Sequence, residues 1–337
     1  TVLGRSLDGF SRDAELLERI RTDDILKDCL LIAEPWDPGP GGYHVGQFGE
    51  PFIEWNDQYR DTIRKFWRGE DHMIGALAGK VAGSADQFNH DGRKPSASVN
   101  FLAAHDGFTL ADLVAYENKH NDANGEDNRD GHNANYSWNN GAEGETDDEA
   151  INTARRNDVR ALLATLFVSH GSLMLTAGDE FGRTQGGNNN AYAQDNEITW
   201  LDWENADGDL VNFVASLADM RRNHPAFRSD KFLTGEKADG FKDVMWVRPD
   251  GAEMTEEDWN KPDSSVLGMF LHEEGEVLLV WFNRLREEIE VVLPGEQGLN
   301  FEVALVSAID AEIAIEDARL KLPPRSVVIL AHTSRKS

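Results

Sequence analysis

The apolar residues of this chain change their spacing near residue 225, and this change constrains the fold more than any other feature. Before it, short apolar runs alternate with segments of helical periodicity. The candidate strands are 29–33, 53–55, 99–104 and 173–177, and the candidate helices are 57–67, 72–81, 110–116, 154–169 and 209–223. Alternating strands and helices are typical of parallel βαβ units, whose right-handed crossovers put the helices outside a sheet or barrel. We therefore predict an α/β domain over residues 1–225.

Residues 226–337 consist of short β-rich runs separated by turn residues, with no convincing helical pattern. The runs are 241–248, 265–272, 277–282, 288–293, 301–307 and 326–331. Short strands at this spacing are typical of an antiparallel β-sandwich. We predict that residues 226–337 form such a second domain.

Charge and hydropathy exclude several classes of partner. The 337 residues include 33 basic and 61 acidic side chains, which give a net charge of −28. This field repels polyanions, so we expect neither nucleic acid nor a membrane surface as a partner. The longest apolar stretch, 162–178, carries Ser169 and His170, and no signal peptide opens the sequence, so we expect a cytoplasmic protein without a membrane span. The single cysteine, Cys29, lies in an apolar run and is expected to be a buried structural thiol.

Acidic side chains follow three of the four candidate strands. Glu34 ends the run 29–33, which has the composition of a strand buried on both faces, while Asp106 and Asp179 follow 99–104 and 173–177. The carboxyl ends of parallel strands form the catalytic face of barrels and sheets. Each acid taken singly could instead cap or start the following helix, although Pro35 disfavours this for Glu34. Their coincidence favours an active site.

Paired carboxylates across a cleft suit cleavage of a glycosidic bond. One acid, with its pKa raised by apolar surroundings, protonates the leaving oxygen, and a second acts as nucleophile or base. Carbohydrate sites also need aromatic platforms and amides for hydroxyl groups. Trp36, Tyr43 and His44 follow Glu34, and the polar run 187–196 contains Asn189 and Asp195. That run could also be an ordinary polar surface loop.

The segment 117–149 is rich in Asn, Asp and Gly and is too long for a simple connection. We interpret it as a functional or mobile loop. Its acids lack the regular spacing of a calcium-binding loop, so we expect a solvated loop and neither a metal nor a cofactor.

Several long motifs resemble glycoside hydrolase family 13, the α-amylase superfamily, and within it the bacterial glycogen debranching enzymes of the isoamylase type. They are LLIAEPWD, FIEWNDQYRDTIRKFWRG, NFLAAHDGFTL, NGEDNRDGHNANYSWNNG, LTAGDEFGRTQGGNNNAYAQDNEITWLDW, EMTEEDWN and LPPRSVVIL. The resemblance implies a retaining α-glycosidase with a (β/α)₈ barrel and a C-terminal β-sandwich. It implies that Glu34 is the general acid/base, that Asp106 stabilises the transition state and that His105 contacts the sugar. It also implies an α-glucan, such as glycogen or a branched dextrin, as the substrate.

The chain departs from the family at the nucleophile, which the resemblance puts on the fourth barrel strand in a motif of the form Asp-Gly-Phe-Arg-x-Asp-x-Ala. Asp8-Gly9-Phe10 is followed by Ser-Arg-Asp instead, and no apolar strand precedes it. In the family, a segment like TVLGR follows the nucleophile motif. We therefore expect the second half of a barrel, strands five to eight, and no catalysis by the chain alone. Asp179 is the one strand-end acid that could replace the nucleophile, and we expect it to contact a helix N-terminus instead.

Three functions stay open at this point. The first is hydrolysis of α-1,6 branch linkages, and the second is another family 13 activity, an α-1,4-amylase or a transglycosylase. The third is a non-catalytic glucan-binding or assembly module. Because half a barrel has open edges, we also expect self-association.

Overall fold

The computed structural model describes residues 1–7, 9–238, 240–295 and 299–332, so Asp8 lies outside the described residues. The helices are α1 (Glu15–Thr22), α2 (Asp57–Arg68), α3 (Ile74–Val81), α4 (Ala85–Phe88), α5 (Leu110–Leu113), α6 (Glu149–Val168), α7 (Gly208–Asn223) and α8 (Glu256–Trp259). The strands are β1 (Arg5–Ser6), β2 (Gly9–Phe10), β3 (Ile32–Ala33), β4 (Ile53–Asn56), β5 (Ser98–Asn100), β6 (Ser172–Leu173), β7 (Lys237–Ala238), β8 (Phe241–Lys242), β9 (Val244–Val247), β10 (Val266–Glu273), β11 (Glu276–Asn283), β12 (Ile289–Val292), β13 (Phe301–Val306), β14 (Arg319–Leu322) and β15 (Ser326–His332).

The longer helices of the first part end where the sequence supplies caps. The Asn56 side chain accepts a hydrogen bond from the Tyr59 N–H at the start of α2, and Gly69 ends that helix in the left-handed conformation, with φ of 104°. Asp148 and Asp207 cap α6 and α7 in the same way, each accepting two backbone N–H groups. These caps define the helices that surround the sheet.

Strands β3 to β6 form a parallel sheet in the order β3-β4-β5-β6, with helices in each of the connections from β4 onward. This confirms the βαβ pattern expected for the first part of the chain. Among the described residues β3 pairs only with β4, and β6 pairs only with β5, so both edges of this sheet are unpaired.

The interpretation of 29–33 as a strand buried on both faces is wrong. Only Ile32–Ala33 forms a strand, and Leu30 is 72% exposed. The expectation for Cys29 is wrong for the same reason, because its thiol is exposed. An apolar run predicts burial only if both neighbouring strands are present, and β3 has one neighbour.

The second part of the chain is built from antiparallel strands. Strands β9, β10, β11, β13 and β15 form one sheet in the order β13-β15-β11-β10-β9, and β12 pairs with β14. A core that includes Phe270, Trp281, Val291 and Leu320 fills the space between these two layers. This agrees with the expected sandwich. The expectation of no helix is wrong, since α8 lies at 256–259 with Thr255 and Asp258 in a capping box.

The other face of the five-stranded sheet packs on the helices of the first part. Its residues Met269, Val280 and Ile329 belong to the same apolar core as Ile63 of α2 and Leu162 of α6. The division into two domains at residue 225 stays a prediction, because the largest core of the described chain crosses it.

The loop 117–149 is held by many hydrogen bonds. Glu143 accepts hydrogen bonds from the backbone N–H of Glu117 and of Asn118, both at 2.9 Å, and from Asn139 and His120 at 3.0 and 3.1 Å. Burial acts to raise the pKa of Glu143, but these hydrogen bonds outweigh it and lower the pKa to about 2. The loop is therefore a fixed part of the surface around the sheet.

The described residues contain neither a metal-binding cluster nor a membrane-spanning helix. No group of three or more His, Cys, Asp or Glu side chains has a geometry that could hold a metal ion. No described helix combines the length and the apolar character needed to cross a membrane.

Candidate active site

The sheet brings Glu34 and Asp106 to the same edge. Glu34 directly follows β3, and His105 and Asp106 lie in the loop after β5. Since β4 lies between these two strands and all three are parallel, the loops leave the sheet on the same side. Both carboxyl groups are exposed. The described residues therefore do not enclose Glu34 in the apolar surroundings that an acid/base normally has.

The ring of Trp55 connects these two loops. Its centroid lies 6.5 Å from that of Trp36, which follows Glu34, and 5.8 Å from that of His105. Phe101 packs on the same ring at 5.6 Å. The neighbouring residues of β4, Glu54 and Asn56, are fully buried, as expected from the alternation of side chains along a strand. Trp55 was not predicted as a site residue from the sequence. The available signal was its position at the end of the candidate strand 53–55.

Behind this edge, Glu54 fixes the loop between β3 and β4. It forms a buried ion pair with Arg93, with 2.5 Å between Oε1 and the guanidinium. It also accepts the backbone N–H of Gly46 at 2.6 Å and of Phe48 at 3.2 Å. A buried carboxylate with three donors is a strong anchor. The loop that carries Trp36 and Tyr43 is therefore anchored to the sheet.

His105 and Asp106 lie beside each other, with 3.5 Å between Nε2 and Oδ2. Both side chains are more than half exposed, and the pair is ionic only when the imidazole is protonated. The Gly107 N–H donates to the carbonyl oxygen of Asn189 at 2.9 Å, which joins this loop to the polar run 187–196. The arrangement leaves a carboxylate and an imidazole open to a ligand.

Tyr43 and His44 lie in the loop after Glu34. The Tyr43 hydroxyl donates to Asp57 Oδ1 at 2.6 Å and accepts from Gln58 at 3.1 Å, while the residue is 46% exposed. Burial of the hydroxyl, together with the Asp57 hydrogen bond, raises the pKa of Tyr43 well above its ordinary value. The phenol is therefore neutral and can present its ring. His44 stacks on Phe10, with 4.3 Å between the centroids.

The structure does not present the Asn189 side chain to solvent. Its Nδ2 donates to the carbonyl oxygen of His132 at 2.8 Å and to Asn135 Oδ1 at 2.9 Å, and its Oδ1 accepts from Asn121 at 2.9 Å. Asn189 is 1% exposed, so the expected direct contact with substrate does not fit this geometry. The polar composition of the run reflects instead a buried amide network with the 117–149 loop.

Asp195 is exposed and accepts a hydrogen bond from Trp200 Nε1 at 3.0 Å. Among the described residues, Asp195 forms no hydrogen bond or ion pair with Glu34, His105 or Asp106. It lies in the segment after β6 that also exposes Tyr192 and Trp200. Asp195 is thus available for a ligand but does not belong to the group formed by Glu34, His105 and Asp106.

Asp179 is buried and caps a helix. Its Oδ1 accepts the N–H of Leu110, the first residue of α5, at 2.9 Å. This confirms the expected contact with a helix N-terminus, although the helix is not the one that follows it in sequence. Burial raises the pKa of Asp179 to about 7. At 2% exposure its carboxyl cannot reach a substrate as a replacement nucleophile.

Comparison with known proteins decides the family. No family model matches the chain. A glycogen operon protein GlgX homolog of Mycobacterium tuberculosis is 41% identical over 360 residues, covering 99% of this chain and 49% of the relative. A glycogen debranching enzyme of Serratia proteamaculans is 48% identical over 294 residues, covering 87% of the chain and 43% of the relative. The chain is a homologue of the bacterial glycogen debranching enzymes of glycoside hydrolase family 13.

Solved structures of two pullulanases have a similar fold. A mutant pullulanase from Paenibacillus barengoltzii in complex with maltotetraose is 26% identical, with a TM-score of 0.62 over 93% of this chain and 45% of the pullulanase. A type I pullulanase from Bacillus subtilis in complex with maltose has a TM-score of 0.64 at 20% identity, over 90% of this chain and 40% of its own. The expected resemblance to a debranching enzyme is confirmed. The chain spans about half the length of the curated relatives that it matches.

Proposed function

We propose that this chain carries the acid/base side of a site that hydrolyses α-1,6-glucosidic branch linkages in glycogen and limit dextrins by a retaining mechanism. The observation that carries the proposal is that Glu34 and the His105–Asp106 pair follow parallel strands on the same side of the sheet, with the Trp55 ring between Trp36 and His105. The chain is 41–48% identical to a GlgX homolog and a debranching enzyme. The bound maltotetraose of the pullulanase relative supports an α-glucan as the ligand.

In this proposal each side chain has a distinct role. Glu34 protonates the leaving glycosidic oxygen and later activates water, and Asp106 stabilises the positive charge that develops on the sugar. His105 donates a hydrogen bond to a sugar hydroxyl. The rings of Trp36 and Tyr43 support the glucose units, and Asp195 accepts hydroxyl hydrogen bonds. Asn189 acts as a positioning residue, through the backbone hydrogen bond from Gly107.

A retaining reaction also needs a nucleophile opposite the acid. Asp179, the strand-end acid that could replace it, is buried and caps α5, which supports the absence of a nucleophile from this chain. We propose that β3 to β6 correspond to strands five to eight of a (β/α)₈ barrel and that this chain has no hydrolytic activity alone. Loss of one member of a catalytic set removes many orders of magnitude of rate.

The open edge of β3 supports a second part of the proposal, self-association. Most of the exposed large apolar side chains of the described residues lie between Val2 and Ile32, in the segment that leads into β3. An unpaired strand edge beside apolar surface is a template for pairing with another chain. A cytoplasmic location stays a prediction.

The test is release of reducing sugar from glycogen limit dextrin by the purified chain, with Glu34→Gln as the control for contaminating enzymes. We expect equal, background rates for the two proteins. Turnover that Glu34→Gln abolishes would contradict the proposed lack of a nucleophile. A parallel glycogen pull-down tests for a non-catalytic glucan-binding module, and activity on unbranched amylose would indicate another family 13 reaction.

A further inference from the structure

A cavity of about 1190 Å³ opens between the N-terminal halves of α6 and α7, and none of the candidate active-site residues lines it. Sites for small molecules typically have volumes of about 300–1,000 Å³, so this space is large enough for an oligosaccharide. One wall consists of arginines of α6, the opposite wall of polar residues at the start of α7, and aromatic rings from three segments complete the lining.

The arginines of the first wall are already bound to protein groups. Arg155 donates to the carbonyl oxygens of Asn139 and Ala142, and Arg160 donates to that of Ser307 at 2.6 Å. The Arg160 guanidinium also lies 3.8 Å from the centroid of the Phe213 ring. These contacts hold Arg155 and Arg160 in the wall. The third arginine, Arg156, pairs with Glu149 at 2.5 Å, and its side chain is about half exposed.

The charge of the lining favours a neutral ligand. The arginines face four acidic side chains besides the buried Asp112, namely Glu145, Asp207, Asp209 and Asp310. The chain as a whole carries −28. An anion would therefore be repelled, whereas carboxylate oxygens and the amides of Asn152 and Asn212 can accept from and donate to hydroxyl groups.

An exposed aromatic ring lies beside the cavity. Trp203 is 66% exposed, and its ring packs against that of the cavity-lining Phe181, with 4.8 Å between the centroids. A large aromatic side chain in this setting offers an apolar face with a polar N–H, which suits a ring that has both C–H faces and hydroxyl edges. A sugar has this chemistry.

We propose that this cavity is an accessory binding site for a short neutral α-glucan, separate from the Glu34–Asp106 edge, with Trp203 at its rim. The choice of an α-glucan rests on the proposed function. The site retains a glucan chain without taking part in bond cleavage, so its contribution is to affinity alone.

The experiment is hydrogen–deuterium exchange of the purified chain with and without maltotetraose, combined with calorimetric titration. We expect protection of peptides spanning 150–160 and 203–216. Trp203→Ala should weaken this binding about tenfold, equivalent to about 1.4 kcal/mol. Asn212→Trp should abolish it by filling the space. Val211→Trp is the matched control, because Val211 is the exposed neighbour on α7 and does not line the cavity.

The outcomes separate this site from the proposed active site. Protection confined to peptides 30–45 and 101–108, and unchanged in Asn212→Trp, would overturn the accessory site and leave the proposed function intact. Protection of 150–160 and 203–216 by inorganic phosphate but not by maltotetraose would overturn the assignment of a neutral ligand to this cavity. An absence of protection everywhere would contradict both proposals. Equal losses in Asn212→Trp and Val211→Trp would show that the cavity is not the binding site.

Discussion

Arg325 donates from Nε to Asp158 Oδ1 across 2.6 Å, and the two side chains are only 9% and 1% exposed. The guanidinium also lies 5.5 Å from the ring centroids of both Trp67 and Trp138. Because Arg325 directly precedes β15 and Asp158 belongs to α6, this ion pair joins the antiparallel sheet to the helices around the parallel sheet.

Arg325→Met should destabilise the chain strongly. It leaves the Asp158 carboxylate buried without its ionic partner, and removing one member of a buried pair costs about 3–5 kcal/mol of unfolding free energy. Asp158 keeps hydrogen bonds from Trp138 at 2.7 Å and Asn140 at 2.9 Å, so we expect the lower part of this range. Urea-induced unfolding measures the loss.

The matched control for that variant is Arg319→Met. Arg319 pairs with Glu290 at 2.5 Å on the surface, where both side chains are about half exposed. Surface pairs contribute about 0–1 kcal/mol. Equal losses in the two arginine variants would contradict the role assigned to the buried pair.

Asp179→Asn should stabilise the chain at alkaline pH. Burial raises the pKa of Asp179 to about 7 from the ordinary 3.8, so the folded state holds a proton between pH 4 and 7 that the unfolded state has released. Stability therefore falls as the pH rises through this window. The asparagine still accepts the Leu110 N–H and does not ionise. Three pKa units correspond to at most about 4 kcal/mol, which the variant should recover above pH 7.

Urea unfolding of Asp179→Asn and of the unmodified chain at pH 4 and pH 8 checks this expectation. Asp127→Asn, which changes an exposed loop carboxylate, controls for the loss of one negative charge. A stability difference that is the same at both pH values would show that ionisation of Asp179 does not oppose folding.

Lysine at the exposed positions next to the open edge should reduce self-association. Leu30→Lys with Ile32→Lys introduces one charge in β3 and one just before it, and charged side chains on edge strands prevent pairing with another chain. Light scattering after size-exclusion chromatography measures the mass, and Val211→Lys is a control at an exposed apolar position of α7. If the unmodified chain is already monomeric, or if both variants act alike, the β3 edge is not the contact.

The Cys29 thiol should react with Ellman's reagent in the native state. It is exposed, and its Sγ donates a weak hydrogen bond to the carbonyl oxygen of Ile25 at 3.7 Å. In the Leu30→Lys, Ile32→Lys variant, whose edge is blocked against association, we expect labelling of one thiol per chain at a rate similar to that in urea. A native rate in this variant that is slower by about a hundredfold or more would contradict the exposure of Cys29 in the folded chain.

Elements that depend only on a local sequence pattern could be predicted from the sequence. The helices at 57–67 and 209–223 were predicted almost to their ends, since amphipathic spacing and capping residues coincide there. The β-rich runs at 265–272 and 277–282 are the hairpin β10–β11. Burial of 29–33 was mispredicted because it depends on a neighbouring strand and not on the run itself.

Contacts between distant residues could not be predicted in this way. Asn189 lies in a polar run that is typical of a ligand-binding loop. Its side-chain amide is instead hydrogen-bonded to Asn121 and Asn135, which are 68 and 54 positions away in sequence. The same holds for Trp55, whose neighbours come from two other strand ends. Periodicity identifies a strand but does not indicate which side chains its neighbours bring to it.

The alternation along β4 has one more consequence. Asn56 Nδ2 donates to Ser84 Oγ at 3.0 Å and to Ser98 Oγ at 2.9 Å, and Ser98 belongs to the adjacent strand β5. A slip of β4 by a single residue would break these hydrogen bonds and exchange the two faces of the strand. Trp55 would then be turned inward and the Glu54–Arg93 pair outward, between the two candidate acids. The register of the four-residue strand β4 therefore determines whether an aromatic ring or an ion pair lies between the loops that carry Glu34 and Asp106.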